Sequence, residues 1–262
     1  MPFPEAPRVV FEKNPLDQVI CQLRFPPILR IDTETPSDFQ DEIQGAFPLY
    51  SATSEFQFTF PAEITDLPPG VSPTITQPSG WMNHQFASED ELWKVSLTRQ
   101  FIALTSNRYG RWEEFKEKLN IPLNALLKSY SPSGFSRVGL RYIDVIRRSA
   151  LGLSNVGWNS LLKPYVLGLL SSDVGDHIQG YEGRYEIGLS DNSSMVRIIT
   201  RLVESSESGE VCYMIDSDFF HVGKINTEAA LEKLDYFKAH GSRLFQWCIT
   251  ERLYEAMKPQ IL

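Results

Sequence analysis

Phe135-Ser136-Arg137-Val138-Gly139-Leu140-Arg141-Tyr142-Ile143-Asp144-Val145-Ile146 is the stretch that decides the reading of this chain. It reads as a strand, and from it the order of elements starts again. Downstream, Trp158, Leu161, Leu162, Tyr165, Val166 and Leu169 mark a helix. Strands follow at Tyr181–Leu189, Met195–Glu204 and Glu210–Val222, with turn residues Ser205 to Gly209 between the last two. An amphipathic helix from Thr227 to about Lys258 closes the half. Its apolar stripe is Leu231, Leu234, Phe237, Leu244, Phe245, Cys248, Ile249 and Met257. At about 1.5 Å per residue such a helix spans roughly 48 Å, more than one small domain needs, so it would cross both halves or reach a second subunit. Gly241, in its middle, would kink it or admit another backbone.

The upstream half has the same order. Gln18 to Phe25 reads as a strand closed by Pro26-Pro27. A helix begins at Ser37 as N-cap, with Gln40 as its capping-box partner and Phe39, Ile43, Ala46 and Phe47 on one face. Phe56 to Phe60 alternates with period two, and Pro61 to Gly80 is a proline-rich connection. Trp81 to Ala87, Leu92 to Arg99 and Phe101 to Ser106 predict an antiparallel meander. A helix follows from about Arg111, with Trp112, Phe115 and Leu119 inward, and Pro122 should end or restart it. Leu123, Leu126, Leu127 and Tyr130 extend the stripe.

The expected fold is therefore α+β: two tandem strand, helix, antiparallel meander, helix halves, residues 1–134 and 135–262, forming one compact unit. Each half is a curved sheet gripping a long helix, a helix-grip or TATA-binding-protein-like duplication. No identity between the halves accompanies the shared order.

The net charge of −8 argues against a dedicated nucleic-acid binder, although one basic face is compatible with it. Three widely spaced cysteines, Cys21, Cys212 and Cys248, indicate a reducing compartment rather than a disulfide framework or zinc site. Residues 1–10 lack the pattern of a signal peptide, and no apolar run approaches the roughly 20 residues that cross a bilayer. The expectation is a cytoplasmic protein without membrane contact.

No GxxxxGK[ST], GxGxxG or GxSxG occurs, and His84, His177, His221 and His240 show no metal-binding spacing. A triad assembled in space would leave no such mark. The strongest polar cluster is on predicted strands. Asp216 and Asp218 are two residues apart, so both carboxylates share a face with Cys212, Met214 and Phe220. Arg141, Arg197 and Arg201 are their natural partners, in a structural ion network or in a ligand site. With Arg24 and Arg99, the same arginines would hold an anion if they line one concave sheet surface.

Five segments resemble a sporadically distributed prokaryotic family of unassigned function, about 260 residues long. They are Asn14-Pro15-Leu16-Asp17 leading to Gln22-Leu23-Arg24-Phe25; Leu97 through Thr105 with Tyr109, Trp112 and Phe115; Gly139-Leu140-Arg141-Tyr142-Ile143-Asp144; Ile215-Asp216-Ser217-Asp218; and Phe245 with Ile249-Thr250-Glu251. Where that family tends to have asparagine, this chain has Asp144, which is expected to add a charge near Arg141. The resemblance implies no activity. Its patchy distribution implies an accessory gene of defence or toxin–antitoxin type.

The leading functional expectation is a non-enzymatic binding protein acting through a protein partner or self-association, with no cofactor and no metal. The alternative is an anionic ligand, nucleotide or RNA held by Arg141, Arg197, Arg201, Asp216 and Asp218. A metal-dependent hydrolase centred on Asp216 and Asp218 is the third reading.

Overall fold

The computed structural model describes residues 2–54, 81–206 and 208–261. Eleven strands and six helices occur among them. The strands are β1 (Val9–Phe11), β2 (Leu16–Arg24), β3 (Leu49–Ser54), β4 (Met82–Ala87), β5 (Trp93–Leu97), β6 (Phe101–Ser106), β7 (Phe135–Ile146), β8 (Glu182–Gly188), β9 (Ser194–Glu204), β10 (Val211–Ile225) and β11 (Pro259–Ile261). The helices are α1 (Arg30–Thr33), α2 (Ser37–Ile43), α3 (Trp112–Tyr130), α4 (Pro164–Leu167), α5 (Thr227–Cys248) and α6 (Glu251–Ala256).

Nine strands form one antiparallel sheet in the order β3-β4-β5-β6-β2-β7-β10-β9-β8. The fold is mixed α+β, and the β2–β7 pairing joins strands from before and after residue 134 in the same sheet. A second, two-stranded sheet pairs β1 with β11 and ties the two ends of the described chain together.

Alternation along the strands explains why the helices gather on one side. In β7, Val138, Leu140 and Ile146 are fully buried, and their register partners in β10 and β2 continue that apolar face. Aromatic contacts dock the helices there: Phe39 of α2 on Phe86, Phe115 of α3 on Trp93, and Phe237 of α5 on Phe219. The long helices are also clamped to each other. Asp235 of α5 accepts Trp112 Nε1 and Lys116 Nζ of α3, each at 2.7 Å. Among the described residues no helix packs on the opposite face of the central strands.

Several elements differ from the sequence expectation. The helix expected from Thr227 to Lys258 is two helices, and α5, at 22 residues, spans about 33 Å rather than 48 Å. The break has a cause outside the helix. Ile249 is extended and bridges Leu162, Lys163 N–H donates to Cys248 O, and Thr250 N–H donates to Leu161 O. Backbone pairing thus takes the groups that continuation of α5 would use. The segment Trp158 to Leu169 is likewise broken into a 3-10 turn, α4 and a second 3-10 turn, with Pro164 opening α4 and Gly168 ending it at φ +54°.

Pro122, by contrast, lies inside an unbroken α3. It forfeits one hydrogen bond, but buried Leu119, Leu123 and Leu126 hold both flanks to the core. Ser37 is the first residue of α2, Pro36 is the N-cap, and no capping side chain bonds the helix. The expected strand Phe56–Phe60 and loop Pro61–Gly80 lie outside the described residues. The polar edge strand β3 and the strands β1 and β11 carry too little apolar alternation to be read from sequence. No helix among the described residues is long and apolar enough to cross a membrane.

Gly241 lies within α5, and what approaches it closely is a side chain rather than a backbone. A Cβ there would stand 2.7 Å from Cε2 of Tyr142, whose ring lies against the helix. Gly241→Ala should therefore destabilise the protein by about 1–2 kcal/mol, although alanine is the better helix former by about 1 kcal/mol. Urea denaturation of the two proteins measures the difference.

Candidate functional site: the arginine–aspartate face

On the helix-free face, the β10 positions Met214, Asp216, Asp218 and Phe220 lie between β7 positions Gly139, Arg141 and Ile143 and β9 positions Met195, Arg197, Ile199 and Arg201. Next to β7, the β2 positions Gln18, Ile20, Gln22 and Arg24 complete the stripe. All five residues expected to form a site, Arg141, Arg197, Arg201, Asp216 and Asp218, share this face. Arg24 shares it too. Arg99 does not join them: it turns to Asp32 of α1 (3.5 Å) and lies over Trp81, 3.6 Å from the ring centre.

The pairing is diagonal rather than directly across the strands. Asp218 is opposite Arg141 in register, yet Arg141 grips Asp216 with two hydrogen bonds, Nε to Oδ1 at 2.7 Å and Nη2 to Oδ2 at 2.5 Å. Asp216 is only 5% exposed, whereas Arg141 remains 43% exposed, so the guanidinium forms a lid over the carboxylate. The hydrogen bond it donates to Asp216 is the main influence holding Arg141 in its charged form, raising its pKa against the opposing effect of burial.

Asp218 is held by Arg137, whose Nη2 donates to both carboxylate oxygens at 3.0 and 2.8 Å. Arg137 reaches it by folding back over Gly139, where a Cβ would stand 2.4 Å from Nη1. The guanidinium also donates to Gln22 Oε1 at 3.3 Å. Phe220 lies beneath two cations, 5.1 Å from Arg137 and 5.6 Å from Arg197. Arg197 pairs with Glu186 of β8 at 2.9 Å rather than with either aspartate. Arg201 is exposed and makes no ion pair among the described residues.

Arg137, Arg184 and Glu186 were not picked out from the sequence. Arg137 carried a usable signal: it is four residues from Arg141, so strand alternation places both on one face, and the intervening glycine leaves room above the sheet. Glu186 carried none, because its place depends on the register of an edge strand.

Asp144 departs from expectation. It is three residues from Arg141 and therefore points to the opposite, helix-covered face, where it is 6% exposed. It adds no charge to the arginine network. Burial is the main cause, and the charge of Asp216 the second, of a pKa pushed up to about 8.

Each aspartate already has a guanidinium on its oxygens, and a cation binding there would have to displace an arginine. No group of three or more histidine, cysteine, aspartate or glutamate side chains is arranged for metal binding among the described residues. The three cysteines are free and buried.

Two measurements follow from these pairs. Arg141→Ala strands the buried Asp216 carboxylate and should cost about 2–3 kcal/mol, whereas the double variant Arg141→Met, Asp216→Leu should recover most of that loss. Chemical denaturation of both variants checks the difference. For Asp144, the folded state holds a proton that the unfolded chain releases above 3.8, so stability falls as pH rises from about 4 to about 8. Asp144→Asn should flatten that decline. Its stability relative to the parent should be more favourable at pH 8.5 than at pH 5 by about 2 kcal/mol or more, read from urea unfolding at the two pH values.

No protein-family model matches the chain, and no curated protein matches it either.

Proposed function

We propose that this is a non-enzymatic binding protein and that the helix-free face of the sheet is where it docks an acidic protein partner. The observation that carries this reading is the charge mosaic of that face. Among the paired register positions of β2 and β7 to β10, Arg24, Arg137, Arg141, Arg184, Arg197 and Arg201 accompany Glu182, Glu186, Asp216 and Asp218. Six arginines against four carboxylates leave an excess of two positive charges, on a chain whose net charge is −8.

The pattern favours a protein over a nucleic acid. A phosphodiester backbone binds best along an uninterrupted positive track, and carboxylates on β8 and β10 interrupt this one. Another protein can match interleaved charges one by one, gaining specificity from the arrangement. Arg201, exposed and without an ion pair among the described residues, is the cation best placed to meet a partner's carboxylate. The expected 48 Å helix no longer supports a reach to a second subunit, so the reading rests on the sheet face instead.

We also read the two halves as a duplication of helix-grip or TATA-binding-protein type. In support, β2 closes on the last strand of its meander, β6, and β7 closes on the last strand of its own, β10, with the β2–β7 pair between them. The resemblance to a sporadically distributed prokaryotic family belongs to the same proposal and places the partner in an accessory system.

Affinity capture from the source lysate after nuclease treatment tests the proposal, comparing the parent with Arg201→Glu. A stoichiometric protein should be retained by the parent and reduced at least about tenfold by the charge reversal. Capture that Arg201→Glu leaves unchanged would exclude this face. Retention of RNA in untreated lysate, with no protein left after nuclease, would replace the protein partner by the anionic alternative.

A further inference from the structure

A cavity of about 120 Å³ lies on the other side of the sheet, between β7, β10, the N-terminal segment, the start of α3 and the middle of α5. By the space a water needs, it has room for a molecule of about ten heavy atoms. Its wall on α5 is Lys238, Gly241, Ser242 and Phe245, a stripe at helical spacing that faces the sheet. Exposed Arg8 and Arg111 also line it, so the cavity reaches the surface at that end.

The two ends differ chemically. At the sheet end stand Asp144, 6% exposed, and Ser217, 3% exposed. The Ser217 hydroxyl has no hydrogen-bond partner, and Asp144 makes no ion pair among the described residues. The rest of the lining includes the apolar Phe11, Leu16 and Phe245 beside Asn14, Tyr109 and Tyr142. At the surface end, Lys238 is half-buried and has no ion pair among the described residues. Burial, followed by the nearby charge of Arg8, depresses its pKa against the opposing pull of Glu113 and Asp235. Arg111 is the N-cap of α3, whose first turn also carries Glu113 and Glu114.

We propose that this cavity binds a small organic anion, a carboxylate or phosphate monoester of about ten heavy atoms. Its anionic group would pair with Lys238 and Arg111 at the mouth, its apolar body would lie against Leu16 and Phe245, and a hydroxyl or carbonyl at its far end would meet Asp144 and Ser217. Mouth charge makes the choice of sign: Arg8 is paired with Glu113 at 2.6 Å, which leaves Lys238 and Arg111 as the cations at the opening, and the one carboxyl that lines the cavity, Asp144, is at the far end. A cationic amine would have to pass both. The site lies on the opposite side of the sheet from the docking face.

The test is isothermal titration of the purified full chain with three probes of similar size: 4-hydroxybenzoate, phenyl phosphate and the cation tyramine. At least one anion should bind with a dissociation constant below about 1 mM, and tyramine should not. The two anions distinguish carboxylate from phosphate recognition. Lys238→Met, which removes a charge near the surface without touching the core, should weaken the bound anion at least about tenfold. Ser242→Phe, which fills the cavity from the helix, should abolish binding. Absence of heat with both anions up to about 10 mM overturns the proposal. So does preferred binding of tyramine, or anion affinity unchanged in Lys238→Met.

Discussion

Pairing of β7 with both β2 and β10 is the constraint on which the rest of the structure depends. These three strands hold the centre of a nine-stranded sheet, and β7 fixes the register of its neighbours on both sides. With a side-chain period of two, that register assigns every residue of the three strands to one face or the other. A slip of one residue would move Leu140 and Ile146 out of the core and drive Arg137 and Arg141 into it. The arginine network and the helix-side core are therefore two consequences of one alignment.

The same alternation explains what was legible in the sequence. Strands β2, β4, β6 and β7, and the existence of two long amphipathic helices, follow from residues whose own periodicity names their face. Arg197, Arg201, Asp216 and Asp218 share a face because each pair has even spacing. Asp144 shows the rule misapplied: an odd offset from Arg141 places it behind the sheet, which sequence alone could have told. Arg137 was legible on the same grounds, through its offset of four and the glycine between.

Other features depend on groups distant in the chain. Helix α5 stops at Cys248 because Leu161 and Lys163 pair with the backbone of residues 248–250. Nothing in the local stripe Leu244, Phe245, Cys248, Ile249 announces that, since the residues remain buried whether the helix continues or breaks. Pro122 shows the converse. Local rules end a helix there, and packing of Leu119, Leu123 and Leu126 overrides them. The choice of counter-ion, Asp216 for Arg141 and Glu186 for Arg197, also needed the registers of β7, β8, β9 and β10, which no single strand encodes.

The central strands also couple the two faces electrically. The carboxylate of Asp216, on the helix-free side, is one cause of the raised pKa of Asp144 on the helix side. Arg141 holds that Asp216 carboxylate with two hydrogen bonds on the helix-free face. The 43% exposure of Arg141 leaves it open to solvent and to anything docking on that face. A carboxylic acid that stays protonated donates a hydrogen bond into the cavity instead of repelling an anion from it. The lid on one face and the acid on the other are thus linked by the thickness of a single sheet.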